Sequence, residues 1–142
     1  MRGIEYEIIN DVGRLAESAQ VKALECVSAI ETFALPFKIF ETLRIPERQQ
    51  MLFDHGYSKT LKSQHLKGMA WDIVYFGRLP NGKESWAWPD KQNWKDALWF
   101  DAYLRAEYMA VMKLFTGKIA GIKSGLIEWH WDFAHVWAVK EK

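Results

Sequence analysis

Two short segments of this chain concentrate side chains that could do chemistry. The first, residues 63–72, has the sequence SQHLKGMAWD, and the second, residues 131–136, has the sequence WDFAHV. Together they offer two imidazoles and two carboxylates from distant parts of the chain. Catalytic zinc in hydrolases usually takes three protein ligands from His, Asp and Glu and keeps a fourth position for water. The two segments therefore predict a metal site that can activate water.

Three side chains can supply the ligand set. His65 and Asp72 lie in the first segment, and His135 lies in the second. Gly68, between His65 and Asp72, allows a tight turn that points both side chains at one ion. We therefore expect His65, Asp72 and His135 to bind one zinc ion.

Hydrolysis also needs a base that takes a proton from water and later gives it to the leaving amine. Asp132 lies three residues before His135, so its carboxylate can approach the water without binding the metal. Glu128 is a second candidate, less well placed along the chain. A different zinc site, in which His130 and His135 are both ligands of an amidase of another fold, is a further alternative.

The spacing of apolar residues predicts the elements that must position these groups. The expected elements are a helix over 11–33, a strand over 37–43, a helix over 46–54, a strand over 69–76, a helix over 94–115 and a strand over 126–139. A turn at 80–83 and an irregular loop to Asn93 are expected between the second strand and the third helix. This order favours an α+β fold: a small, mostly antiparallel sheet flanked by helices, with the zinc site at the sheet. We expect residues 1–142 to form a single catalytic domain.

Composition limits the classes of function. The chain has 142 residues and a net charge of +1, so it has no basic field for holding nucleic acid. No segment approaches the roughly 18 apolar residues of a membrane span, and the N-terminus lacks the pattern of a signal peptide. Cys26 is the only cysteine, which excludes an intramolecular disulfide and predicts a small buried side chain in a helix. We expect a monomer that is made in the cytoplasm.

Tryptophan is unusually frequent, with eight in the chain. Five of them lie in or between the two candidate segments: Trp71, Trp86, Trp88, Trp129 and Trp131. Packing in the core and at its rim is favoured over a role in stacking on substrate, although some could do both.

The first segment resembles a known motif. Residues 63–72 match all five fixed positions of the Ser-x-His-x-x-Gly-x-Ala-x-Asp motif of the peptidoglycan zinc peptidases. This family includes D-alanyl-D-alanine carboxypeptidases, D,D-dipeptidases and phage L-alanyl-D-glutamate endopeptidases. Residues 132–135 resemble its second motif, in which an acidic residue is followed two positions later by Pro or a small residue and then by His. Ala134 stands where many members have Pro, and Trp137 stands where Glu or Gln is common. The side chains that orient His135 as a ligand are therefore expected to differ from those of these members.

A third segment, residues 41–49, is similar to the family's strand that ends in Arg and leads into a short helix bearing Gln. The resemblance implies that Arg44 stabilises a developing oxyanion or orients substrate, as a cation near the reacting carbonyl should. It also implies supporting roles for Gln49 and for Ser63 near the zinc site. A surface arginine in a salt bridge and an ordinary loop serine are the alternatives.

The resemblance implies zinc-dependent hydrolysis of an amide bond in the stem peptide of bacterial peptidoglycan. Cleavage between L-alanine and D-glutamate is preferred over removal of a terminal D-alanine, because the chain lacks an export signal and long insertions. These features favour a phage endolysin that accumulates in the host cytoplasm and reaches the wall after the membrane is permeabilised. A non-catalytic wall-binding or phage structural module of the same fold is the alternative.

Overall fold

The fold is built around a sheet, which has five strands in the part of the chain that the structure describes. The structure is a computed structural model that describes residues 8–89, 94 and 97–139. Its helices are α1 (Glu17–Thr32), α2 (Pro46–Asp54), α3 (Leu98–Lys118) and α4 (Gly125–Trp129), with 3₁₀ helices at Val12–Arg14 and Gln64–Lys67. Its strands are β1 (Phe37–Glu41), β2 (Ala70–Arg78), β3 (Glu84–Ala87), β4 (Ile122–Ser124) and β5 (His135–Ala138).

Strand β2 is the centre of the sheet and pairs with β1, β3 and β5. Strand β4 pairs with β5, which gives the order β1-β2-β5-β4 with β3 beside β2. All of these pairings are antiparallel. The α+β prediction with an antiparallel sheet and flanking helices is therefore confirmed.

The two longest helices cover one face of the sheet. Phe37 of β1 packs edge-to-face against Tyr108 of α3, with ring centroids 5.0 Å apart, and Tyr75 of β2 packs against Phe100 in the same way. Helix α1 contributes small residues that have no exposed surface: Ala19, Ala23 and Cys26. Small side chains let the helix lie close to the sheet. Burial raises the pKa of the Cys26 thiol to about 12, so it packs as a neutral group, as expected.

The structure corrects the predicted strand over residues 126–139. Residues 125–129 form α4, and only His135–Ala138 form a strand. Ser124 caps α4, since its Oγ accepts a hydrogen bond from the backbone nitrogen of Ile127 at 3.5 Å. His130 then ends the helix in a left-handed conformation, with φ of 66°. A cap and a single left-handed residue leave little trace in apolar spacing, which is why the helix was missed.

Three other elements differ from the prediction. The turn at 80–83 joins β2 to β3 as a hairpin, so residues 84–87 are a strand where a loop was expected, while residues 90–93 lie outside the described part. The third helix begins at Leu98 and runs to Lys118. The first helix is divided into a 3₁₀ helix and α1, because the backbone nitrogen of Ala16 bonds to the carbonyl oxygen of Gly68 at 2.9 Å. Tertiary hydrogen bonds of this kind cannot be inferred from local spacing.

None of the described helices combines the length and the apolar character needed to cross a membrane.

Candidate metal centre

The 3₁₀ helix at Gln64–Lys67 holds His65 in place beside the sheet. Ser63 caps this helix, because its Oγ accepts a hydrogen bond from the backbone nitrogen of His65 at 3.1 Å. Gly68 ends it in the left-handed conformation, with φ of 68°. A Cβ added to Gly68 would lie 2.8 Å from the backbone nitrogen of Ala16, so a larger residue would displace the backbone.

The orientation of the His65 ring is set by a backbone carbonyl. Nδ1 of His65 lies 2.7 Å from the carbonyl oxygen of Thr42, which can only accept a hydrogen bond. Nδ1 therefore carries a proton, and in the neutral imidazole the lone pair is on Nε2. Nε2 lies 3.2 Å from Oδ1 of Asp72. This is the usual way in which a protein orients a metal-binding histidine.

The register of the strands places His135 and Glu41 beside Asp72. Glu41 of β1 lies opposite Asp72 of β2, and Asp72 lies opposite His135 of β5. Directly opposed residues of antiparallel strands project from the same face of a sheet. Three neighbouring strands therefore present Glu41, Asp72 and His135 in one row, on the face that does not carry α1 and α3.

His65, Asp72 and His135 form a group with the geometry of a metal site. Each offers one ligand atom, and these atoms lie within 4.8 Å of one another. Oδ1 of Asp72 is 3.2 Å from Nε2 of His65 and 3.5 Å from Nδ1 of His135. Tetrahedral zinc, with bonds of about 2.0–2.2 Å, spaces its ligand atoms roughly 3.4 Å apart. Two nitrogens and one carboxylate oxygen at these distances fit a divalent transition metal such as zinc.

The two histidines affect the ionisation of Asp72. Burial alone would raise the pKa of Asp72, but His65 and His135 beside it hold the pKa well below its ordinary value. Asp72 is therefore ionised and offers an anionic oxygen. Its side chain is 17% exposed, whereas His65 and His135 are buried, so the group opens to solvent on the Asp72 side.

Arg44 lies beside this group and is held by several partners. Its Nη2 donates to Oε1 of Glu41 and its Nη1 donates to Oε1 of Gln49, both at 2.8 Å. Nη2 is also 3.6 Å from Oδ2 of Asp72. Arg48 binds the same Glu41 carboxylate through its Nε and its Nη2. Burial alone would raise the pKa of Glu41, but the hydrogen bonds from Arg48 and Arg44 lower it below its ordinary value.

A cleft of about 1060 Å³ opens over the metal group. One rim is the connection from α2 to the 3₁₀ helix, and the other is the connection from α4 to β5. The rims meet where Nζ of Lys59 lies 4.2 Å from the ring centroid of Trp131. Trp129 and Trp131 are both 45% exposed and stack with a 22° angle between their rings. These tryptophans line the cleft, whereas Trp71 is fully buried in the core.

The structure brings together most of the residues that the sequence singled out. His65, Asp72 and His135 form one group, Arg44 lies next to it, and Asp132 lines the same cleft. Gln49 is buried and contacts Arg44. Its Oε1 accepts a hydrogen bond from the Arg44 guanidinium, and its Nε2 donates to Oγ of Ser58 and to the carbonyl oxygen of Thr60. Ser63 is the helix cap described above, and it also lines the cleft.

The alternatives from the sequence find less support. Glu128 is exposed, pairs with Lys123 at 3.6 Å and is absent from the described lining of the cleft. His130 is exposed and lies outside the one metal-binding group found among the described residues.

Three contributors near the site were missed: Thr42, Glu41 and Arg48. Thr42 acts through its backbone, which no side-chain pattern reveals. Glu41 and Arg48 belong to the segment 41–49 that was noted for Arg44, and their pairing depends on the fold.

The chain is similar to known peptidases, although no protein-family model matches it. It aligns at 33% identity over 64 residues with a protein from Listeria phage A118 named L-alanyl-D-glutamate peptidase. This alignment covers 45% of the chain and only 23% of the phage protein. The structure resembles that of the L-Ala D-Glu endopeptidase ChiX from Serratia marcescens, with a TM-score of 0.51, 25% identity, and coverage of 90% of this chain and 83% of the other. The chain is therefore similar to L-alanyl-D-glutamate peptidases, over part of its sequence and in its fold.

Proposed function

We propose that this chain is a zinc-dependent peptidase that cleaves the L-alanyl-D-glutamate bond in the stem peptide of peptidoglycan. The observation that carries the proposal is the group of His65, Asp72 and His135, with ligand atoms within 4.8 Å of one another at the base of an open cleft. The names of the phage and Serratia relatives supply the substrate.

The three residues would hold zinc through one carboxylate oxygen and two imidazole nitrogens. Zinc bound there supplies Lewis acidity, which lowers the pKa of water and polarises a carbonyl oxygen. The carbonyl of Thr42 keeps His65 turned toward the ion, and the strand register does the same for Asp72 and His135. The site is thus pre-organised before a substrate arrives.

Two further side chains have chemical roles in this proposal. Asp132, which lines the cleft, takes a proton from the attacking water and passes it to the nitrogen of the leaving amine. Arg44 faces the cleft and stabilises the negative charge that develops on the carbonyl oxygen. Both contributions act in the transition state, so loss of either should lower kcat more than it raises KM.

Digestion of purified peptidoglycan tests the bond that is cut. We expect new amino-terminal D-glutamate, identified by mass spectrometry of the released fragments. Release of free D-alanine instead would identify a carboxypeptidase and overturn the proposed specificity. Hydrolysis should stop when a chelator removes the metal and return when zinc is added.

A non-catalytic wall-binding module remains the competing function, and the cleft tryptophans Trp129 and Trp131 are the feature that favours it. Such a module would bind peptidoglycan with no bound metal and would release no fragments. The retained set of His65, Asp72 and His135 supports the enzyme. Because the curated relative is a phage protein, we infer that the enzyme acts on a host cell wall as part of phage lysis.

A further inference from the structure

A carboxylate with two guanidinium partners lies next to the metal group. Glu41 is 1% exposed and binds Arg44 through one oxygen and Arg48 through both. A single Arg–Glu pair would cancel its own charge, whereas two arginines around the Glu41 carboxylate leave one positive charge over when bound zinc compensates the charge of Asp72, which lies 3.6 Å from Arg44. Arg44 and Arg48 are each 8% exposed and both line the cleft, so this charge acts in a partly desolvated place.

A β-bulge in β1 directs Glu41 to this position. Ile39 pairs with Ile73, but the next paired residue is Glu41, which lies opposite Asp72. Phe40 is the extra residue in β1. With regular pairing, Phe40 would oppose Asp72 and Glu41 would point to the face that carries α1 and α3. The bulge therefore places the carboxylate next to Asp72 and within reach of both arginines.

Arg44 still has an unused donor. Its Nη1 and Nη2 are bonded to Gln49 and Glu41, but its Nε is buried and lacks a hydrogen-bond partner among the described residues. A buried donor without a partner is unfavourable unless a ligand satisfies it.

We propose that Arg48 is a positioning residue for Arg44. Arg48 balances the negative charge of Glu41. Glu41 can then hold the Arg44 guanidinium in place without cancelling the positive charge that acts on the substrate. This inference rests on the proposed function, in which Arg44 stabilises a developing oxyanion. Glu41 fixes the position of the Arg44 guanidinium, and Arg48 supplies the positive charge that compensates the Glu41 carboxylate. Without Arg48, the Arg44–Glu41 pair would present little net charge to an oxyanion.

The test compares Arg48→Gln, Arg48→Lys and the double variant Glu41→Gln/Arg48→Gln, each loaded with zinc. We expect Arg48→Gln to lower kcat by about tenfold with little change in KM, because charge is lost only where it acts in the transition state. Arg48→Lys should keep most of the activity. In the double variant Glu41 no longer neutralises Arg44, so kcat should recover to within about threefold of the parental value.

A second readout needs no turnover. A phosphinate analogue of the L-alanyl-D-glutamate bond carries an anionic tetrahedral centre, and calorimetry gives its affinity. The analogue should bind about tenfold more weakly to Arg48→Gln than to the parental protein and regain affinity in the double variant. Zinc affinity should stay unchanged in all three. Arg78→Gln, at an exposed arginine outside the described cleft lining, is the matched control and should behave like the parental protein.

Several results would overturn the proposal. One is a folded Arg48→Gln protein with parental kcat and analogue affinity. Another is a double variant that is no better than Arg48→Gln alone, which would mean that Arg48 contacts the substrate or serves only the fold. If Arg48→Gln does not fold, the charge-balanced double variant carries the test, and a folded but inactive double variant contradicts the inference. A parental protein that leaves peptidoglycan intact would contradict the proposed function, while the binding measurement would still test Arg48.

Discussion

His65 can offer only one ring nitrogen to a metal, because the other is bonded to the carbonyl of Thr42. The orientation of the His65 side chain therefore depends on a backbone atom of Thr42, the residue that follows β1. Arg44 depends on the same segment, since its backbone nitrogen donates to the carbonyl of His65 at 3.1 Å. The residues that follow β1 thus orient both His65 and the nearby Arg44.

Replacing His65 by alanine should abolish stoichiometric zinc binding and lower peptidoglycan hydrolysis by at least about a hundredfold, because a three-ligand site loses one ligand. Metal analysis after dialysis and a turbidity assay on purified walls measure the two effects. His55→Ala is the matched control, since His55 is exposed at the end of α2 and outside the described cleft lining. A His65→Ala protein with parental zinc content would contradict the ligand assignment.

At the scale of elements, the short 3₁₀ helix before β2 needs a glycine at its end. Gly68 and Gly82 both have left-handed backbones, with φ of 68° and 84°. They differ in their surroundings: a Cβ at Gly68 would meet Ala16 N at 2.8 Å, whereas a Cβ at Gly82 would meet nothing within 4 Å. Alanine substitutions at these two glycines therefore separate the cost of backbone strain from the cost of steric overlap.

Gly82→Ala should lower the free energy of unfolding by about 1 kcal/mol, the usual cost of a left-handed non-glycine residue. Gly68→Ala should lower it by roughly 2–4 kcal/mol, because the backbone overlap adds to that cost. Urea unfolding followed by circular dichroism measures both. Equal losses for the two variants would show that the packing of Gly68 against Ala16 contributes nothing.

The sequence predicts elements well where the signal is local and poorly where it is not. Helix α2 has the predicted bounds of 46–54, because Pro46 can only begin a helix and Gly56 follows its end. Helix α4 was predicted as strand, since its Ser124 cap and left-handed His130 are single-residue features. The grouping of His65, Asp72 and His135 could be predicted because their residue types and spacing are specific. Glu41 and Arg48 could not, because their roles depend on a bulge and on strand pairing.

At the scale of the whole molecule, the metal group ties together parts of the chain that are far apart in sequence. His65 precedes β2, Asp72 lies within it, and His135 begins β5. The unfolded chain cannot present these ligands together, so metal binding should favour the folded state.

Zinc should therefore raise the midpoint of thermal unfolding, and a chelator should lower it. At a free zinc concentration about a thousandfold above Kd, the stabilisation is roughly 4 kcal/mol. Scanning calorimetry with zinc and with chelator measures the shift. His135→Ala should fold and show little zinc-dependent shift, and a parental protein insensitive to both treatments would argue against a metal site at this position.

The two rims of the cleft touch through the ammonium of Lys59 and the indole of Trp131. A contact of this kind at an exposed position is worth only about 0.5–1 kcal/mol, close to the thermal energy. This contact therefore adds little to the free energy that holds the two loops together. Under the proposed function, a weak contact across the cleft would let a long polymer enter from the side, at any point along its length, instead of being threaded from a free end.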